Sequence, residues 1–282
     1  MTKHIPVLLE PVLKALGDIA GKTIVDCTFG AGGYSRAFLS CGANVIAFDR
    51  DANVVSDALE LEREFGNRFR FIASPFSGLA NLSEKVDAVV FDLGISSMQI
   101  DTASRGFSFR FDAPLDMRMS PDGMTAAEFI EHKSVNDLAD VLRNYGDVKK
   151  AAVFARVIKD ALPRTTFQLR DLIHNPKDIA PVFQALRIAV NDEMGELERA
   201  LAVVPDLLRI GGRCICVTFH SLEDRIVKNT FRAWATAPGD PRLPTVQCAP
   251  FELIKPVTPS DQELENNPRA RSAHMRGVVK SC

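Results

Sequence analysis

The sequence predicts an α/β protein, a doubly wound, mostly parallel, seven-stranded sheet with a small all-helical domain inserted into it. Three observations predict this. Short, continuous apolar runs alternate with helical patterns in the first part of the chain, a glycine-rich turn directly follows the first run, and the alternation stops near Arg105 and resumes near Val182. Continuous apolar strands separated by helices indicate a parallel sheet covered on both faces.

Taken in order, Thr23 to Cys27 reads as the first strand and Ser35 to Leu39 as the helix after its glycine turn. Asn44 to Asp49 is the second strand, backed by a helix from Ala52 to Phe65 whose Val54, Val55, Ala58, Leu61 and Phe65 make one stripe. Phe69 to Ala73 and Asp87 to Leu93 are the third and fourth strands. From Arg105 to Ser120 the chain is rich in Phe, Met, Arg and Gly and fits no period. It then turns helical and strand-poor, with segments Ala126 to His132, Val135 to Arg143, Ala151 to Leu162 and Leu169 to Ile173, punctuated by Pro163, Pro176 and Pro181. A long amphipathic helix is expected from Val182 to Ile210, interrupted near Gly195 or Pro205. A fifth strand follows at Cys214 to Phe219, then a helix from Ser221 to Trp234 opened by a Ser221–Asp224 capping box. Two tail strands, Phe251 to Ile254 and Ala273 to Val279, complete the sheet. The expected domains are 1–114 with 183–282 for the sheet and 115–182 for the helical insertion.

With 282 residues, 46% hydrophobic and 25% charged, the composition is that of an ordinary soluble protein. The N-terminus carries no long apolar stretch, and no run nears the ~18 apolar residues a membrane span needs, so a cytoplasmic location and no membrane partner are expected. Of six cysteines, Cys214 and Cys216 stand too close for a Cys-x-x-Cys site, and the five histidines include no His-x-x-x-His pair. No metal is expected, and the thiols are read as reduced. The formal net charge of −2 makes the whole molecule no attractor of polyanions. Nucleic-acid binding then needs local basic patches, such as the tail residues Arg269, Arg271, His274, Arg276 and Lys280.

The first motif with chemical content is Asp26-Cys27-Thr28-Phe29-Gly30-Ala31-Gly32-Gly33. Glycines after a first strand let the backbone approach a ligand, at the carboxyl edge where doubly wound sheets bind. A structural turn and a dinucleotide site share this pattern. Asp49 ends the second strand, where a carboxylate can accept both hydroxyls of an adenosine ribose, although Asp49 or Asp51 can equally cap the next helix. The acids Asp26 and Asp92 favour a cationic sulfonium cofactor, because a pyrophosphate would be repelled. Ser35 also stands where Gly-x-Gly-x-x-Gly has its third glycine. Asp92 can accept a hydrogen bond from a poorly nucleophilic amine or place the cofactor. His220, after the fifth strand, reads as a substrate contact, a proton relay or a hydrogen-bonded structural residue.

Together with these, Phe48-Asp49-Arg50-Asp51, Asp92-Leu93-Gly94-Ile95-Ser96-Ser97, Arg105-Gly106-Phe107-Ser108-Phe109, Pro114-Leu115-Asp116-Met117-Arg118-Met119, Phe183-Gln184-Ala185-Leu186-Arg187-Ile188, Phe219-His220-Ser221-Leu222-Glu223-Asp224-Arg225 and Asn267-Pro268-Arg269-Ala270-Arg271-Ser272 resemble the RsmH (MraW) family. These are the 16S ribosomal RNA (cytosine(1402)-N(4))-methyltransferases, and the resemblance runs from His4-x-Pro6-Val7-Leu8-Leu9 to the tail. It implies a class I S-adenosylmethionine-dependent methyltransferase fold, with cofactor contacts at Gly32, Gly33, Tyr34, Asp49, Phe76, Asp92 and Gln99. It implies a cytosine of the small ribosomal subunit as substrate and an RNA-recognising role for the insertion, whose Lys149, Lys150, Arg156, Lys159 and Arg164 are basic. Asp92 would border the reacting centre, with His220, Phe129 and the Phe107 loop on the acceptor side; Phe129 would stack on a flipped base. The chain departs from many relatives at Tyr34 (histidine), Ser120 (aspartate) and Phe129 (tryptophan). A homodimer is compatible with the sequence. A methyltransferase of another substrate, a catalytically silent ribosome-assembly factor and, more distantly, a dehydrogenase stay open as alternatives.

Overall fold

Strands Thr23–Asp26 (β1), Asn44–Asp49 (β2), Phe69–Ala73 (β3), Val86–Asp92 (β4), Leu208–Thr218 (β5), Phe251–Val257 (β6) and His274–Lys280 (β7) form one sheet. This is a computed structural model describing residues 6–237 and 248–282. His4 of the opening motif lies outside the described residues. The strand order is β3-β2-β1-β4-β5-β7-β6. The neighbours from β3 to β5 pair in parallel, whereas β7 runs antiparallel to both β5 and β6. The chain leaves β1 toward β2 and β3, then returns to place β4 on the other side of β1. This reversal opens a crevice at the carboxyl ends of β1 and β4, where doubly wound sheets bind ligands.

The sheet belongs to a unit made of Met1–Gly94 and Glu196–Cys282. The central strands are largely apolar because helices cover both faces: Ile24, Val25, Val89, Val90, Phe91 and Ile215 are fully buried. Cys214 and Cys216 are buried in the same core, and all six cysteines are free. The tail is more than a solvated segment, for it supplies β6 and β7. Arg276 there pairs with Asp224 through two hydrogen bonds (2.6 and 2.8 Å), and Lys280 Nζ donates to the carbonyls of Pro205 and Leu208.

The second unit is Ile95–Gly195. Its limits are wider than the 115–182 expected, for a packing reason. Phe107 from the aperiodic stretch and Phe183, Ala185 and Leu186 from beyond Pro181 share one core with Leu115, Met117, Ile130, Leu138, Ile158 and Leu169. Helices Ala126–His132, Val135–Gly146, Ala151–Ala161, Thr166–Asp171 and Pro176–Asn191 surround that core. Capping boxes at Thr125/Glu128 and Ser134/Asp137 start the first two. The stretch 105–120 escapes any periodic reading because hydrogen bonds hold it in place. Asp116 grips Arg118 through both carboxylate oxygens, and Asn191 accepts the amide of Met119 and donates to the carbonyl of Met117. A Cβ on Gly106, at φ +71°, would lie 2.4 Å from the carbonyl oxygen of Pro114.

The helix expected from Val182 to Ile210 is instead two helices, Pro176–Asn191 and Glu193–Leu207. The break falls at Asp192, which takes a left-handed φ of 48°, and not at Gly195 or Pro205. Ile210 belongs to β5, which begins six residues before Cys214, at Leu208. A helix at Leu9–Leu16 was outside the sequence reading.

Candidate active site

At the crevice, β1 ends in Asp26, a 1% exposed carboxylate. Its Oδ1 accepts the Thr28 amide at 3.2 Å and its Oδ2 accepts the Ser35 hydroxyl at 2.7 Å, so one side chain braces both ends of the glycine turn. Burial pushes its pKa up to about 6, partly offset by these hydrogen bonds. Thr28 Oγ1 accepts the amide of Asp92 at 2.7 Å, tying the turn to the end of β4. Gly32, at φ 74°, precedes helix Gly33–Ser40. Its pro-L hydrogen faces Phe29, where a Cβ would sit 2.9 Å from the ring. The Phe29 ring therefore packs directly on the backbone of the turn.

Asp49 closes the other side. Its Oδ2 accepts the Gly30 amide at 2.8 Å and its Oδ1 the Asp51 amide at 2.9 Å. Asp51 caps the next turn by accepting from Asn53 at 3.0 Å, so the capping role falls to it and Asp49 is left facing the glycines. Each Asp49 oxygen keeps a lone pair for a ligand hydroxyl. Burial raises its pKa.

Asp92 at the end of β4 is the least satisfied group of the site. Its Oδ1 is shut off from solvent and has no hydrogen-bond partner among the described residues. Burial first, and then the charges of Asp26 and Glu223, push its pKa well above the usual carboxylate range. A buried polar atom without a partner is costly. A cation or an N–H donor placed beside Asp92 would relieve that cost. Phe76 opens the 3₁₀ turn Phe76–Asn81 after β3 and stands edge-on to Phe91, with ring centres 5.7 Å apart. It is a half-buried aromatic at the same edge of the sheet.

The remaining candidates have other attachments. Tyr34 is 3% exposed, packs against Phe38, and donates its hydroxyl to the carbonyl of Val7. His220 is the N-cap of helix Ser221–Trp234, correcting the Ser221–Asp224 box. Its Nδ1 accepts the Glu223 amide at 3.4 Å, and Glu223 Oε2 accepts the amides of Phe219 (2.8 Å) and His220 (3.3 Å). Asp224 is instead engaged by Arg276. Within the helical unit, Gln99 completes a capping box with Ser96, and Phe129 is a 7% exposed core residue with Lys133 over its ring at 5.3 Å. That burial removes the open stacking face expected of Phe129. Of the basic residues there, Arg164 pairs with Glu131 and Lys159 binds the carbonyl of Ile130, while Lys149, Lys150 and Arg156 are exposed.

The structure thus gathers Gly32, Gly33, Tyr34, Asp49, Phe76, Asp92 and His220 along one sheet edge, whereas Gln99 and Phe129 belong to the other unit. Sequence reasoning missed Thr28, Ser35 and Glu223. Only Glu223 left a signal, as the acidic third residue of a helix start, and the histidine cap hid it.

A parallel sheet of this order closed by an antiparallel β7, with carboxylates around a glycine turn, defines the class: an S-adenosylmethionine-dependent methyltransferase. The residues fit that cofactor, since Asp49 beside the glycine turn can hold a ribose and the buried Asp92 near Asp26 suits a positive charge.

Residues 1–281 match the model of the MraW methylase family, and the chain belongs to that family. It is 46% identical over 298 residues to "Ribosomal RNA small subunit methyltransferase H" of Bartonella bacilliformis, covering 99% of this chain and 90% of the relative. It is also 46% identical over 296 residues to the protein of that name from Mesorhizobium japonicum, covering 99% and 88%. Among solved structures, a putative methyltransferase from Streptococcus mutans in complex with SAH aligns over 99% of both chains at 15% identity, with a TM-score of 0.48.

Proposed function

We propose that the chain transfers a methyl group to the N4 amine of one cytosine, position 1402, in the 16S RNA of the small ribosomal subunit. The observation that carries the chemistry is the unpartnered, buried Oδ1 of Asp92 at the end of β4. The RNA substrate is supported by the names of relatives 46% identical over nearly the whole chain. S-adenosylmethionine, when bound, supplies an electrophilic methyl on a positively charged sulfur.

In this reading Gly32 and Gly33 admit the methionine portion, Asp49 accepts the ribose hydroxyls, and Phe76 packs on the adenine. Gln99 is a further cofactor contact in this reading. Asp92 accepts an N–H of the cytosine amine, which turns the nitrogen lone pair out of conjugation and toward the methyl carbon. Formation of the C–N bond is matched by breaking of the sulfur–methyl bond, which leaves S-adenosylhomocysteine, and the proton that the amine gives up passes to Asp92. His220 holds the β5 edge in register through its cap and borders the acceptor side. Tyr34 acts beside the glycine turn, and Phe129 acts from within its core as support for the RNA-facing unit. The exposed Lys149, Lys150 and Arg156 meet RNA phosphates. No helix among the described residues is long and apolar enough to cross a membrane. In this reading the enzyme works in the cytoplasm, where a ribosomal substrate is met.

The test is to map N4-methylcytidine in 16S RNA from a deletion strain complemented with wild type or Asp92→Ala. Wild type restores the mark and Asp92→Ala does not. Restoration by neither, with both proteins folded and expressed, would point to another methyl acceptor.

A further inference from the structure

The segment Pro6–Leu8 lies directly on the glycine turn, and three parts of the sheet unit hold it there. A Cβ built on Gly33 would come 2.6 Å from Cγ of Pro6, so the proline ring packs against the turn at the start of helix Gly33–Ser40. The Tyr34 hydroxyl donates to the carbonyl of Val7. The amide of Leu8 donates to Oε1 of Glu263 at 2.6 Å, across 255 residues of sequence.

Segments this near a terminus ordinarily fray unless tied down. Here Val7 is 5% and Leu8 1% exposed. Leu8 also takes a left-handed backbone (φ 55°, ψ 28°), a region that leucine occupies only when its surroundings hold it there. Glu263 is itself fixed, because its amide donates to the hydroxyl of Ser260, the cap of helix Asp261–Asn266. Tyr34 senses Glu263 along with Asp92 and Asp26, all of which raise its pKa after burial has done so. A carboxylate from the far end of the chain therefore stands close to the acidic edge of the site.

We infer that Glu263 and Tyr34 are positioning residues that strap Pro6–Leu8 against Gly33 and so fix the wall of the turn that receives the methionine end of the cofactor. This deepens the proposed function and rests on it. The hydroxyl of Tyr34 is spent on the strap, so Tyr34 serves the cofactor through Val7 and Pro6. Glu263 serves it through Leu8. Both ties end on backbone atoms of a segment outside β1–β7, and Tyr34→Phe keeps the ring that packs against Phe38.

The experiment follows amide hydrogen exchange at Leu8 and, by calorimetry, the affinity for S-adenosylhomocysteine, in wild type, Tyr34→Phe, Glu263→Ala and Glu263→Gln. Glutamine keeps an acceptor for the Leu8 amide and alanine does not. Loss of a hydrogen bond to a charged group corresponds to about a tenfold effect. Tyr34→Phe and Glu263→Ala are expected to speed Leu8 exchange about tenfold and to weaken S-adenosylhomocysteine binding by a similar factor. Glu263→Gln should recover most of both, and exchange in β1 and β4 should stay at wild-type rates, which shows the fold intact. Unchanged exchange at Leu8 in both disruptive variants would overturn the strap. Faster exchange with wild-type affinity would overturn its role toward the cofactor. If wild type itself takes up no S-adenosylhomocysteine, the methyltransferase reading and the cofactor role fall together, while the exchange rates still decide whether Glu263 and Tyr34 hold the segment.

Discussion

Asp49 Oδ2 accepts the amide N–H of Gly30 at 2.8 Å, joining the end of β2 to the glycine turn after β1. The same carboxylate thus shapes the turn and offers lone pairs to a ligand. Asp49→Ala should lower S-adenosylhomocysteine affinity at least about tenfold, the loss of roughly one charge-assisted hydrogen bond. Asp49→Asn, which keeps one acceptor, should fall between. Calorimetric titration of the three proteins checks the order, and equal affinities would remove Asp49 from the site.

Asp92 is buried beside Asp26 and Glu223, and burial together with those charges raises its pKa in the free protein. A cation bound next to it favours the ionised form, so its pKa falls on binding and protons are released over the pH range between the free and bound values. S-adenosylmethionine binding across that range should therefore release protons, detected as a binding heat that varies with the ionisation enthalpy of the buffer. S-adenosylhomocysteine, which lacks the sulfonium charge, should release fewer. In Asp92→Asn the difference between the two ligands should shrink. Heats independent of buffer in the wild type would contradict the assignment.

Asp26 affects stability with a definite sign. Its folded pKa of about 6 lies above the ordinary aspartate value of 3.8. Between these values the native state binds the extra proton, so stability falls as pH rises through the window and the full cost is present above it. Two pKa units correspond to about 3 kcal/mol at order-of-magnitude precision. Asp26→Asn should therefore be more stable than wild type at pH 8 and gain little at pH 3.5. Urea unfolding at both values tests this, and a gain independent of pH would show that ionisation of Asp26 is not its source.

His220 sits where a proton relay and a helix cap look alike in sequence. Asparagine is a strong N-cap residue and has no titratable ring. If capping is the main duty, His220→Asn should keep near wild-type stability and methylation, whereas His220→Ala should lose about 1 kcal/mol of stability. A large fall in methylation rate in a fully stable His220→Asn protein would assign the ring a chemical part.

The legible parts of the sequence were those with simple physics. β2, β3 and the helix Ser221–Trp234 have the limits read from apolar runs and periodicity, β1 ends one residue earlier than read, and β4 is shifted by one residue at both ends. Asp49 and Asp92 were legible because acids ending apolar strands stand out. Phe107 joins the helical unit's core through hydrogen-bonded irregular backbone and Phe183 through a helix that begins before Pro181, and neither leaves a periodic signal. The His220 cap was hidden by its residue type. The tie between Leu8 and Glu263 links opposite ends of the chain, and no local pattern announces such a contact.

The most direct measurement is transfer of labelled methyl from S-adenosylmethionine to small ribosomal subunits lacking the modification, followed by nucleoside analysis of the 16S RNA. Label in N4-methylcytidine from a single position, absent with Asp92→Ala, is the predicted result. A protein that takes up the donor yet leaves all ribosomal RNA unlabelled, on free RNA and on subunits alike, would contradict it.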